Sequence, residues 1–177
     1  NIKLINKSAE LKSYYQLHID FKTIDSMGAN FINSCLEIIS KKFHQLLNDS
    51  HYFKESEKKI EMIMSILSNY TPECIVESSL ECKIGDLGNI DGMSPKEFAL
   101  RFKDAYNIAD IDVNRAVTHN KGIMNGVDAV LISTGNDFRA VEAGVHAFAS
   151  SNGKYKSLSE CSIIDNIFKI SLKIPLS

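Results

Sequence analysis

The stretch IEMIMSILSNYTPECIVESSLECKI, Ile60 to Ile84, carries two candidate strands in succession with no helix between them. Ile60 to Leu67 is almost continuously apolar. From Cys74 onward, Cys74, Val76, Ser78, Leu80, Cys82 and Ile84 alternate with Ile75, Glu77, Ser79, Glu81 and Lys83, the period of a strand with two distinct faces. Strands that follow one another without a helical crossover predict an α+β protein and not a doubly wound α/β one. Upstream, Tyr15, Leu17, Ile19 and Phe21 alternate with Tyr14, Gln16, His18 and Asp20, which predicts another strand with one buried face. The period then lengthens. Met27, Phe31, Cys35, Ile38, Ile39, Phe43 and Leu46 recur at helical spacing and predict a long helix from about Ser26 to Leu47, its apolar stripe belonging to the core. Asn48 to Lys59 reads as a solvated connection. Downstream, Gly85 to Gly92 interrupts the pattern, and Ser94-Pro95-Lys96-Glu97 supplies an N-cap, a proline at the first helical position and a capping-box glutamate. A further helix is predicted from about Asp137 to Ser150, burying Val141, Val145 and Phe148, followed by a strand from Ile167 to Ile174 that Pro175 stops.

Composition restricts the function classes. At 177 residues and 44% hydrophobic, the chain suits one domain or two small ones and buries a core without staples. Its four cysteines, Cys35, Cys74, Cys82 and Cys161, form no C-x-x-C pair and stand near no histidine at ligand spacing, so neither a disulfide framework nor a metal site is expected. Reduced thiols and a cytoplasmic location are the expectation. A net charge of −2 with both signs interspersed gives no footprint for nucleic acid, and no apolar run reaches the roughly 18 residues of a membrane span.

Two polar segments are the candidates for chemistry. Arg115-Ala116-Val117-Thr118-His119-Asn120-Lys121-Gly122-Ile123-Met124-Asn125-Gly126 is too polar and turn-prone for a core strand, and Thr134-Gly135-Asn136-Asp137 follows an apolar piece and opens a helix. On the residues alone two readings stay open. Lys121 and Asp137 are either a solvated loop lysine and an ordinary helix cap, or a cation held and aimed by a carboxylate so that it stabilises an oxyanion. Similarly, Asp25-Ser26-Met27-Gly28-Ala29-Asn30, at the junction of a strand and a helix, is either a plain N-cap or an anion site that uses the free N–H groups of the first turn.

The wording of these segments carries more. RAVTHNKGIMNG with TGNDFRAVEAGVHAFA (Thr134 to Ala149) resembles the catalytic segment of hydroxymethylglutaryl-CoA (HMG-CoA) reductase, of the soluble bacterial class II type. Asp25 to Asn30 is similar to that family's dinucleotide-binding motif, with Ser26 where alanine is usual, and Leu67-Ser68-Asn69 is similar to its Ser-Asn step. The resemblance implies part of a small, ferredoxin-like dinucleotide-binding domain over residues 1–68 and part of a larger, catalytic mixed helix and sheet substrate-binding domain over residues 69–177. It implies the reduction of HMG-CoA to mevalonate and CoA with two hydrides from NAD or NADP in its reduced form, or the reverse oxidation. By position in the matching motifs, Lys121 and Asp137 are implied as catalytic, and Arg115, Asn125 and Asn69 as substrate-binding. Asp25, Ser26, Met27, Gly28 and Asn30 are implied as cofactor-binding, and the assembly as a homodimer or higher homo-oligomer. His119 has the chemistry of a general acid, but the family's acid histidine comes from a later segment, so His119 reads as structural. Neither that histidine nor the family's upstream catalytic glutamate has a match here, so the chain is expected to be an incomplete catalyst by itself. The alternative is a non-catalytic nucleotide- and CoA-binding or assembly module.

Overall fold

A computed structural model describes residues 1–24 and 28–176. Asp25, Ser26 and Met27 of the dinucleotide motif therefore lie outside the described residues. The chain forms two compact units, Asn1–Leu67 and Ser68–Ser177, and its architecture is α+β.

The first unit holds strands β1 (Ile2–Asn6) and β2 (Tyr15–Ile19), paired antiparallel with Ile2 opposite Ile19 and Asn6 opposite Tyr15, and helix α1 (Ala29–Asp49). The alternation at Tyr15 predicts β2 correctly, while β1 carries no comparable sequence signal. Burial departs from the expectation. Leu47 is the one buried side chain among the unit's described residues, whereas Leu4 is 71% exposed, and Tyr15, Phe31 and Ile38 are exposed as well. The expected strand over Ile60–Leu67 also does not form: these residues join no ladder, and Ile63, Met64 and Ile66 are exposed. A strand is stabilised through its partners, and two strands with one helix offer too little apposed apolar surface to cover every amphipathic face.

The second unit is built around three helices and an antiparallel sheet. Strand β3 (Ile75–Lys83) runs into a 3₁₀ turn at Ile84–Leu87; helices α2 (Pro95–Ile111), α3 (Val113–Ser133) and α4 (Phe138–Ala149) follow; β4 (Ser159–Ile164) and β5 (Ile167–Pro175) close the chain. The strand order is β3-β5-β4, with Ile75 opposite Pro175 and Ser159 opposite Leu172. Asp165 and Asn166, both at positive φ, make the two-residue turn between β4 and β5, a conformation these residue types tolerate.

Local chemistry explains the helix boundaries. Ser94 Oγ accepts the Glu97 N–H at 3.3 Å with Pro95 in the first turn, as the sequence predicts. Asp112 ends α2 and caps α3, accepting the Asn114 N–H at 3.0 Å. At the far end of α3, Gly135 at φ 73° closes a Schellman motif: the Asn136 N–H reaches the Leu131 carbonyl at 2.8 Å and the Gly135 N–H reaches that of Ile132 at 3.2 Å. Asp137 then caps α4. Thr134-Gly135-Asn136-Asp137 is thus one helix stop followed by one helix start. The apolar interior comprises Met124, Leu131, Val141, Val145, Ala149, Leu158 and Ile174 in one cluster, and Ile84, Ala99, Cys161 and Phe168 in a second, where Phe102 meets Phe168 edge-on at 5.5 Å.

Candidate active site

Lys121 is in the middle of α3, not in a loop. The expected turn-prone loop is corrected here: capped at both ends, the helix runs through Gly122 and Gly126, because isolated glycines only weaken a helix by about 1 kcal/mol each. Ala116, Asn120, Met124 and Leu131 are buried on one face, so at 100° per residue Arg115, Thr118, Lys121, Gly122, Asn125 and Gly126 share the opposite, exposed side. Lys121 and Asn125, one turn apart, place an ammonium next to an amide. Beside them Gly122 and Gly126 leave a shallow trough, for a Cβ at either would meet nothing within 4 Å, and Arg115 lies in line with that trough two turns before Gly122.

The helix is fixed from behind. Asn120, with no exposed surface, donates from Nδ2 to the Lys156 carbonyl at 2.8 Å and accepts the Leu158 N–H on Oδ1 at 3.0 Å. His119 Nε2 lies 2.7 Å from the buried Ser159 Oγ, and its ring meets Tyr106 edge-on at 4.7 Å. Burial holds the imidazole below its ordinary pKa, and the nearby Arg115 guanidinium adds to the effect. Burial pushes the Tyr106 phenol up, against a hydrogen bond from Ser159 that lowers it. His119 is thus half-buried and engaged by Ser159 and Tyr106.

Asp137 is not paired with Lys121. Its Oδ1 accepts the N–H groups of Arg139 and Ala140, at 3.1 and 3.3 Å, and stands 3.4 Å from Arg139 Nε. Among the described residues Oδ2 accepts nothing. The Ala140 N–H, then Arg139, hold this exposed carboxyl below the usual range. Residues 135–139 line an open depression of about 440 Å³. Asn69 is exposed, and its carbonyl abuts Gly144 of α4 so closely that a Cβ there would come within 3.0 Å. In the first unit, Gly28 is the residue before α1, with its carbonyl accepting the Ile32 N–H at 2.8 Å; Asn30 is exposed in the first turn. Among the described residues no side chain caps this end.

Sequence reasoning missed Asn120 and Ser159. Neither residue type signals burial by itself, and each acquires its partner from a segment roughly forty residues away. A polar groove of about 660 Å³, lined by Tyr106, Asp110, Lys156, Ser159, Glu160 and Lys173 among others, also has no counterpart in the sequence pattern. Among the described residues no helix is long and apolar enough to cross a membrane.

Comparison with known proteins returns one family. The family model described as hydroxymethylglutaryl-coenzyme A reductase matches residues 1–177. A probable 3-hydroxy-3-methylglutaryl-coenzyme A reductase of Borreliella burgdorferi is 35% identical over 163 residues, 91% of this chain and 35% of its own length. The corresponding reductase of Archaeoglobus fulgidus is 34% identical over 143 residues, covering 81% of this chain and 29% of that relative. A class II reductase of Streptococcus pneumoniae, solved with NADPH in open conformations, is similar at a TM-score of 0.73 and 36% identity, covering 91% of this chain and 40% of that one. The chain spans about a third of the length of the relatives it matches.

Proposed function

The chain belongs to the hydroxymethylglutaryl-coenzyme A reductase family, and from that premise we propose that the outer face of α3 is the substrate face of an NAD- or NADP-dependent reductase converting HMG-CoA to mevalonate and CoA. The observation that carries this reading is the placing of Lys121 and Asn125 one turn apart on the exposed side of α3, beside the bare Gly122–Gly126 trough, on a helix whose other face buries Asn120 and Met124. The trough admits an acyl chain to the helix backbone. Lys121 then polarises the thioester carbonyl and stabilises the oxyanion that develops on it, and Asn125 donates to the same oxygen. Arg115 contacts the substrate carboxylate as a planar, permanently charged donor.

Asp137 has two functions in this reading. Its Oδ1 caps α4 while Oδ2 stays available to orient and hold the charge of a lysine ammonium; the structure itself keeps Asp137, beyond the C-terminal end of α3, apart from Lys121 in the middle of that helix. Asn69 supports the substrate side through its contact with α4. Asp25, Ser26, Met27, Gly28 and Asn30 hold the dinucleotide. The reading is supported by Gly28, which leaves the helix start without a side chain, and by an N-terminus of α1 that no side chain among the described residues caps. When bound, the dinucleotide supplies the hydride. The family implies a cytoplasmic enzyme working as a homodimer or higher homo-oligomer, with residues 1–68 as part of the dinucleotide-binding domain and 69–177 as part of the substrate-binding domain.

The test is Lys121→Ala in the full-length native protein, followed by the absorbance of NADPH or NADH during reaction with HMG-CoA. Turnover should fall by about 10²-fold or more with KM changed far less, because the lost interaction acts on charge that appears in the transition state. Turnover above about a tenth of the native rate would refute the assignment.

A further inference from the structure

Immediately before Lys121, two consecutive side chains turn inward and hold one segment, Lys156–Ser159. Asn120 holds the Lys156 carbonyl and the Leu158 N–H, and His119 holds the hydroxyl of Ser159. Leu158 meanwhile accepts the Lys173 N–H at 3.2 Å, so its carbonyl serves the sheet while its N–H serves α3. The clamped segment is itself tied down: the Lys156 N–H donates to the Ala149 carbonyl at 3.0 Å, and Lys156 Nζ lies 3.6 Å from Asp110 of α2.

Apolar packing beneath α3 is non-directional and permits small rotations about the helix axis. Hydrogen bonds from Asn120 and His119 do not, since their geometry degrades steeply off line. At a helix's outer radius of roughly 5–6 Å, a rotation of about 10° displaces a side chain by about 1 Å. A misplacement of that size at a reacting group can cost about 10²-fold in rate.

We propose that His119 and Asn120 are positioning residues, whose grip on Lys156–Ser159 fixes the axial rotation of α3 and thereby the place of the Lys121 ammonium. The inference rests on the reading of α3 as the substrate face of a reductase. It assigns a function to two residues that touch neither substrate nor cofactor.

The experiment compares His119→Ala, His119→Gln, Ser159→Ala and Lys121→Ala in the full-length native protein, with kcat and KM expressed per folded molecule and the folded fraction taken from circular dichroism. His119→Ala and Ser159→Ala should lower kcat by about tenfold or more while KM for HMG-CoA stays within about threefold. His119→Gln places an amide nitrogen where Nε2 was and should recover most of the loss. A purely structural role would change the melting temperature and the folded fraction but leave kcat per folded molecule intact. Native kcat in both alanine variants, with Lys121→Ala inactive, overturns the positioning role and leaves the reductase reading standing. Native kcat in Lys121→Ala overturns that reading and the positioning role with it.

Discussion

Residues 1–67 and residues 68–177 obey the same sequence rules with different results. In the first unit an amphipathic helix and an alternating strand form where their periods predict, yet Leu47 is the only described side chain to become buried; in the second, α3, α4 and β5 bury Met124, Val145 and Ile174 against one another. Periodicity selects the type of element. Burial needs a second surface of matching shape, and the second unit supplies it with three helices against three strands. The difference also divides the chemistry. Lys121 projects from a helix held by a packed core and two polar anchors, whereas the dinucleotide motif adjoins a helix in which Leu47 alone is fully buried among the described residues.

The largest effect expected on stability tests this contrast directly. Phe168→Ala should destabilise the second unit by about 3–5 kcal/mol, whereas Phe31→Ala, at a helix position 68% exposed, should change stability by no more than about 0.5 kcal/mol. Native-state amide exchange, read separately for α1 and α3, measures both. A comparable loss from each would erase the distinction between the two units.

Two glycines sharpen the contrast within the second unit. Gly144→Ala drives a methyl against the Asn69 carbonyl, 3.0 Å away, and should cost about 1–3 kcal/mol. Gly122→Ala meets nothing within 4 Å inside a helix and should stabilise by about 0.5–1 kcal/mol. Urea midpoints at constant m distinguish the two signs. A stabilised Gly122→Ala that also loses HMG-CoA reductase turnover in the full-length protein would show that the trough on α3 is kept open for a ligand.

A smaller effect comes from His119. Its pKa is lower in the folded protein than the ordinary value near about 6.5, so the unfolded state takes up its proton first as pH falls. Stability is therefore complete above that value and declines as pH drops below it towards the folded pKa. His119→Gln should flatten the pH dependence of the urea midpoint below about pH 6.5, and an unchanged slope would refute the link. Smallest of all is Asp137→Asn. Asparagine caps a helix about as well as aspartate, so helicity at neutral pH should match the native chain, while the acid sensitivity below the ordinary carboxylate range should diminish because the native cap is lost as its depressed pKa is crossed. A helical but catalytically impaired full-length Asp137→Asn protein would separate orientation of Lys121 from capping; activity lost only in step with helicity would leave Asp137 as a cap.

Much of the architecture was legible in the residues because its causes are local. Ser94-Pro95-Lys96-Glu97 starts α2 and the alternation from Cys74 onward makes β3, each through interactions within a few positions. The wording around Lys121 and Asp137 carried the family, which the comparisons show. Local signals misled where they met competing context: the polar wording of Arg115–Gly126 hid a helix, and the apolar run Ile60–Leu67 lacked a strand to pair with.

By itself, then, the sequence determined that α1, α2 and α4 are helical, that β2, β3 and β5 are extended, and which family the chain belongs to, since caps and periods act between residues one to four positions apart. Only the tertiary structure decided which face of α3 is outward, that Asn120 is buried and satisfied, and that Ser159 meets His119. Those outcomes depend on partners 36 to 40 residues distant in sequence, as between Asn120 and Lys156 or His119 and Ser159, and on strands such as β3 and β5 that meet from far apart in the chain. No local pattern encodes such meetings, because they are settled by shape and hydrogen-bond geometry after the chain has folded back on itself.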